Sequence, residues 1–324
     1  MDGLNVINYI GGDLNIGTEG SDNYTLSSLT GLNNLVSISG SLILFNLCAI
    51  HNLEGFESLD TIGEDFDIIW CDGLTNLSGL ESLVSIGRTM QANGNDNLID
   101  FSGISGLTSI GYTLGIENNI SLTSLTGLEN LVSIGASLYI ENNDALTTLV
   151  GLEGLMSAGI EITIKHNDTL SSLTGLDNID ASTLIGINIY LNNNLCYCEV
   201  QSICDFLLIP NGQIDIYANA TGCNSQAEVE AACGVGIADN STPNTQITIS
   251  PNPASTTTIT ISLPTTTPVD NATLSVYNVN AQQVISQSLT SPQTVIDINT
   301  LPRGVYFARV TNDRTVIATK FIKQ

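Results

Sequence analysis

The chain has 324 residues, 42% of them hydrophobic and 12% charged, and its 32 acidic against 7 basic residues give a formal net charge of −25. The apolar content suffices for a core, whereas so acidic a surface repels nucleic acid and anionic lipid and excludes both as partners of the acidic part. No stretch approaches the roughly 18 consecutive apolar residues of a membrane-spanning helix, so direct membrane insertion is not expected.

The start, Met1-Asp2-Gly3-Leu4, lacks the basic residues and apolar run of a signal peptide, and the chain reads as a fragment or as a sequence without its leader. Glycine then recurs every 24 residues at Gly31, Gly55, Gly79, Gly103, Gly127, Gly151 and Gly175. A fixed period of that length predicts a solenoid. Apolar residues return at fixed offsets, as in Leu122, Leu125, Leu128, Leu131, Ile134, Leu138 and Ile140, and again 24 residues later. Residues from Gly3 to Ile16 fit the template if extra residues sit in the Gly17 to Tyr24 loop, so the chain opens inside the array.

The alternating Leu-x-Ile of each copy (Leu114/Ile116, Leu138/Ile140) suits a short strand with two inward side chains. Asn118, Asn119, Asn142, Asn143 and Asn167 follow at the corners, where Asn tolerates tight turns and, stacked coil on coil, can form an amide ladder. Frequent β-branched residues and the glycine after each Ile disfavour a helix in the repeat. The expected fold is all-β, a right-handed parallel β-solenoid over residues 1–194. The repeat unit resembles the leucine-rich repeats of receptor L domains and bacterial surface proteins. That resemblance implies a non-enzymatic module that recognises proteins, glycans or surfaces through outward residues.

Two outward ladders are candidate sites. Glu57, Glu81, Glu129, Glu153 and Asp177 follow the repeat glycine by two residues, and stacked like charges would be relieved by a divalent cation such as calcium, the one cofactor considered; the alternative is a solvated acidic face. Ser37, Thr61, Ser85, Ser109, Ser133 and Ser157 form an unbroken hydroxyl stripe suited to a flat glycan or ice, or simply to β-structure. A third candidate is Trp70, near Phe45 and Phe66, as a sugar or protein contact or as a residue buried under the N-terminal loop. His51 and His166 belong to no metal motif, and no nucleophile elbow or phosphate loop occurs. The alternative of a polysaccharide-active enzyme rests on a carboxylate pair among the many acids.

From Leu195 the period ends and cysteines cluster, which predicts a cap over the open end of the solenoid through residue 236. Cys198, Cys204, Cys223 and Cys233 permit several pairings, and a cysteine-only zinc site competes with them. The pattern resembles the cysteine-rich C-terminal flank of extracellular leucine-rich repeats, which implies Cys198 with Cys223 and Cys204 with Cys233. Cys48 and Cys71, 23 residues apart and so nearly one coil, could bridge neighbouring rungs, which leaves Cys196 unpaired.

Residues 237–247 read as a linker. Five further alternating segments from Thr258 to Ile322 predict a small immunoglobulin-like antiparallel sandwich. The ordered motifs Ser250-Pro251-Asn252-Pro253-Ala254, Leu274 to Val284, Leu301-Pro302-Arg303-Gly304-Val305-Tyr306-Phe307 and Lys320-Phe321-Ile322-Lys323 resemble the type A C-terminal sorting domain of the Bacteroidetes type IX secretion system. Ser250 stands where an aromatic is usual and Ala281 where a turn glycine is usual. Residues 248–324 would then direct export to the cell surface or the medium, with the secretion machinery as partner, Pro251, Asn252, Pro253, Gly304, Tyr306, Lys320 and Lys323 as signal residues, and removal by a sortase after export. Charge agrees: only four acids lie beyond residue 238, whereas five of the seven basic residues do. The overall expectation is a monomeric surface-binding or adhesion protein.

Overall fold

Each 24-residue copy makes one coil with two strands, and successive coils stack in parallel register. Among the described residues of the computed structural model, the strands Leu14–Ile16, Leu42–Phe45, Phe66–Ile69, Met90–Asn93, Thr113–Glu117, Ser137–Glu141, Glu161–Lys165, Gly186–Tyr190 and Gln213–Tyr217 form a nine-stranded long sheet. Seven two-residue strands, from Tyr9–Ile10 to Ser157–Ala158, form a second, short sheet. The structure describes residues 4–18, 23–209, 212–234, 247–263, 269, 272–278, 282–312 and 316–324, of which 316–318 by backbone alone. Most of the expected linker, part of the expected Gly17 to Tyr24 insertion, Met1 to Gly3 and Ala281 lie outside the described residues.

Inward Leu and Ile of every coil meet in one continuous core, which includes Leu122, Leu125, Leu128, Leu131, Ile134, Leu138 and Ile140. Close stacking explains the glycines. Gly127 has φ 107°, and a Cβ there would lie 2.1 Å from the Phe101 carbonyl oxygen of the previous coil. The second glycine of the repeat is equally confined, since a Cβ on Gly111 would sit 2.0 Å from the Gly87 oxygen. Only Gly satisfies both backbone sign and space at the first site.

A buried amide row runs along one corner through Asn95, Asn119, Asn143, Asn167 and Asn192, all with no solvent exposure, and ends on Asn219. The Asn143 backbone N–H and its Nδ2 both donate to Asn167 Oδ1 (3.0 and 3.3 Å). That Nδ2 also donates to the carbonyls of Ile116 and Glu141 (2.9 and 3.0 Å). Asn118 and Asn142 belong instead to an exposed outer row, with φ 57° and 54° and a 3.0 Å bond from Asn142 Nδ2 to Asn118 Oδ1.

The first position of the buried row is a cysteine: the Cys71 N–H donates to Asn95 Oδ1 at 2.9 Å, and its thiol lies 3.5 Å from the Ile69 carbonyl. Burial pushes that thiol up to about 12. The bridge expected between Cys48 and Cys71 is absent. Coils stack at an offset of 24, so the 23-residue spacing misses register by one: Cys71 points inward, while Cys48 stands at the coil position that Asp72 fills on the next rung.

The cap is continuous with the solenoid. Strand Gln213–Tyr217 extends the long sheet, and helices Gln201–Leu207 and Gln226–Ala232 contribute Phe206 and Val229 to the same core. Disulfides Cys198–Cys223 and Cys204–Cys233 pin it, with Cα separations of 5.7 and 5.4 Å. Cys196 is exposed beside the Ser171 carbonyl. The chain divides into two compact units, Met1–Gly236 and Ile237–Gln324.

The second unit is an antiparallel sandwich. Thr248–Ser250, Thr258–Ser262 and Gln293–Asp297 form one sheet; Gln283–Ser288, Thr273–Asn278, Gly304–Thr311 and Val316–Lys323, in that order, form the other. Ile259, Ile261, Leu274, Val276, Ile296, Ala308 and Phe321 fill the space between them.

The amide row generates the first prediction. Asn143→Ala strands buried donors and acceptors on three coils and should cost about 2–4 kcal/mol in urea unfolding. Asn118→Gly, which keeps the left-handed corner of the exposed row, should cost under about 1 kcal/mol. Equal losses would show that the buried row is not special.

Candidate functional site

Along the long sheet the Leu and Ile side chains point inward, so the intervening residues point out. One outward row reads Asn15, Ile43, Asp67, Gln91, Gly115, Tyr139, Thr163, Asn188 and Asp215, stacked in register. The next reads Phe45, Ile69, Asn93, Glu117, Glu141, Lys165, Tyr190 and Tyr217. Inward positions repeat from coil to coil, but these change at almost every rung. Chemistry therefore varies along the face: apolar at the first coils, acidic in the middle, aromatic at the cap.

At the first coils Trp70 packs edge-on against Phe45, with ring centroids 5.1 Å apart. It occupies the left-handed corner at φ 54°, where neighbouring rungs have Asn46, Gly94 and Asn118. A bulky residue there is strained. Trp70 is 48% exposed, and its indole lies over Gly94, where a Cβ would come within 2.4 Å of its Cδ1. At the other end Tyr190 and Tyr217 stack with centroids 4.8 Å apart and planes 2° from parallel.

Charged groups along the face are perturbed. Burial, reinforced by Asp65, raises the Asp67 carboxyl to about 6. Glu117 is also raised, by burial and then by Glu141, with Lys165 opposing. Lys165 Nζ lies 3.0 Å from Glu141 Oε2, and that bond holds the ammonium above its usual range. Farther along, Tyr139 Oη and Asn188 Nδ2 both donate to Glu161, at 3.1 and 2.5 Å. Asp67, Glu117, Tyr190 and Tyr217 were not singled out from sequence, although the one available signal, rung-to-rung variability at the x positions of Leu-x-Ile-x, marks all four.

The carboxylates of the acidic ladder lie at the turns. Each carboxylate accepts from the N–H of its own repeat glycine: Gly55 to Glu57 at 2.9 Å, Gly79 to Glu81 at 3.1 Å, Gly127 to Glu129 at 2.9 Å, Gly151 to Glu153 at 2.7 Å and Gly175 to Asp177 at 3.3 Å. These acids are turn caps, and Asn33 takes the same place at Gly31 (2.9 Å). Among the described residues no group of three His, Cys, Asp or Glu could hold a metal ion. The hydroxyl stripe is brought together: Ser37, Thr61, Ser85, Ser109, Ser133 and Ser157 lie in register on the short sheet behind Tyr9, half-buried, with Val36, Val84, Val132 and Met156 exposed alongside. His51 sits apart, its Nδ1 2.9 Å from the Gly73 oxygen, beside a cleft of about 410 Å³ that Cys48, Asp72 and Ile99 also line. His166 occupies the left-handed corner that Trp70 and Asn142 occupy on other rungs.

In the C-terminal unit the scattered motif residues converge on the last strand. Asn252 mimics a neighbouring strand: its Nδ2 donates to the Lys320 carbonyl (3.1 Å) and its Oδ1 accepts the Ile322 N–H (3.0 Å). Flanked by Pro251 and Pro253, it leads to Ala254, whose N–H bonds the Ile322 oxygen at 2.7 Å. Tyr306 donates to the Pro302 carbonyl at 2.8 Å and stacks on Phe321. Gly304 pairs with Lys323, whose Nζ donates to the carbonyls of Ile298, Asn299 and Leu301.

Residues 248–324 match the family model of the secretion system C-terminal sorting domain. The C-terminal unit is thus a type IX sorting tail, which marks the protein for secretion or surface display. No curated protein matches the chain.

Two predictions come from these carboxylates. Because the folded-state pKa of Asp67 is raised from 3.8 to about 6, the folded state holds the proton more tightly, so its contribution to stability is greatest below pH 4 and falls as pH rises through 6. Asp67→Asn should therefore stabilise at pH 7.5 by about 1 kcal/mol, the linkage being discounted for partial exposure, and should change little at pH 4. A destabilising result at pH 7.5 would give Asp67 a partner that its surroundings do not show. For the turn caps, millimolar calcium should raise Tm no more than sodium chloride of matched ionic strength; a calcium-specific rise would support the cation reading instead.

Proposed function

We propose that the repeat unit is a non-enzymatic recognition module, delivered to the cell surface or the medium by its sorting tail, and that it takes a surface protein or glycan on the outward face of the long sheet. The observation that carries this reading is the contrast along the array: positions that build the coil repeat, whereas those facing out from the long sheet vary. Exposed aromatics at both ends of the face supply large, rigid contact area. Trp70 stands at the left-handed corner, a column that Asn46 and Gly94 fill on the adjoining rungs and His166, Leu191 and Ala218 fill farther along, and there it projects an exposed indole beside the face.

A glycan array and a pull-down on cell-surface material test the reading. Trp70→Asn, which installs the corner residue of neighbouring rungs, and Tyr217→Ser should each leave Tm nearly unchanged and weaken binding about tenfold or more. Reproducible hydrolysis or elimination of a polysaccharide by the purified chain would replace recognition with catalysis.

A further inference from the structure

The two outward faces of the C-terminal sandwich differ in kind. On the sheet of Thr248–Ser250, Thr258–Ser262 and Gln293–Asp297, the outward side chains are Thr258, Thr260, Ser262, Gln293 and Asp297, with one exposed Val295. The other sheet presents Tyr277, Phe307 and Lys320 as one row of directly opposed residues across three strands. Val305 pairs with Ile322 on one side of that row, and Arg309 pairs with Ser275 on the other. Tyr277, Val305 and Phe307 are half-buried, whereas Arg309, Lys320 and Ile322 are exposed.

Solvated sheet faces are ordinarily polar, and aromatic residues with Arg are enriched where partners bind. Arg309 and Lys320 have no ion pair among the described residues, and no described acid lies on their face. We propose that this face is the surface by which the sorting tail docks on the secretion machinery, and that it meets an acidic protein segment with an apolar centre. The proposal rests on the export reading and adds the surface to it. Charge complementarity selects an acidic partner, and number selects protein over lipid: two cations fall short of the about four to eight that basic clusters use on anionic membranes.

The two terminal lysines thereby separate in role. Lys323 points inward, where its ammonium bonds the carbonyls of Ile298, Asn299 and Leu301. Lys320 points outward, while its carbonyl is fixed by Asn252. Asn252, Tyr306 and Lys323 position the strand, and Phe307, Arg309 and Lys320 meet the partner.

The test uses the full-length, leader-bearing gene in a type IX-competent host. Arg309→Glu with Lys320→Glu should lower surface or secreted protein about tenfold or more and leave a folded, protease-resistant precursor in the periplasm. Arg309→Lys with Lys320→Arg should be exported normally, and Thr260→Glu on the opposite face should have no effect. If the double Glu variant is degraded, the neutral Arg309→Gln with Lys320→Gln should show an intermediate loss. Normal export of either charge-removing variant overturns the proposal. A photo-crosslinker at Phe307 should join an acidic component of the machinery; adducts solely with lipopolysaccharide or with a second copy of the chain would overturn it. Deleting residues 248–324 is the separate control: if the deletion is still exported, the export reading itself fails rather than the choice of face.

Discussion

The repeat unit depends on satisfying backbone polar groups at a corner that excludes water. A coil that turns inward at each rung leaves N–H and C=O groups facing the core, where an unpaired group costs about 1–3 kcal/mol. The buried row from Asn95 to Asn219 supplies the missing partners, because one amide accepts from the coil before it and donates to two carbonyls. Turn acids such as Glu129 and Glu153 do the same for the repeat glycines at the opposite bend. Once both corners are paired, the straight segments between them need only an inward Leu or Ile.

That division of labour frees the outward positions of the long sheet. Their side chains contribute little to the coil, so Phe45, Asp67, Glu117, Lys165 and Tyr217 can differ without loss of register. The same scaffold concentrates charge: stacking places Glu117 next to Glu141 and lets burial raise Asp67 well above an ordinary carboxylate. Outward variability and concentrated acidity are thus two consequences of one geometry. The open end is closed at the cap, where two disulfides and two short helices cover apolar core that would otherwise meet water.

The sorting tail solves a different problem, because its motifs are far apart in sequence. Residues near 252, 304 and 323 are joined only in the folded sandwich, where Asn252 acts as a strand edge and Lys323 ties the last strand to the loop at 298–301. The motif is therefore assembled by folding rather than contained in one linear segment. Its orientation follows from strand parity, which turns Lys323 inward and Lys320 outward.

Sequence by itself determined the period, the inward Leu and Ile, the coil glycines and the sorting tail, because each is a local pattern that repeats or a motif with fixed order. It also pointed to an amide ladder, although it did not separate Asn119 and Asn143 from the exposed Asn118 and Asn142, since adjacent residues at a corner differ only in which way the backbone turns them. The partners of polar side chains were decided by tertiary structure alone. Glu57 to Asp177 were visible as an acidic ladder, but that each bonds the N–H two residues earlier was not. Cys48 and Cys71 looked one coil apart, yet a one-residue mismatch in register keeps them unbridged. Trp70 was visible as a candidate in the sequence, but its exposure, and the neighbours of Asp67 and Tyr217, were decided by stacking, because exposure and neighbouring charge are properties of the assembled coils and not of any single repeat.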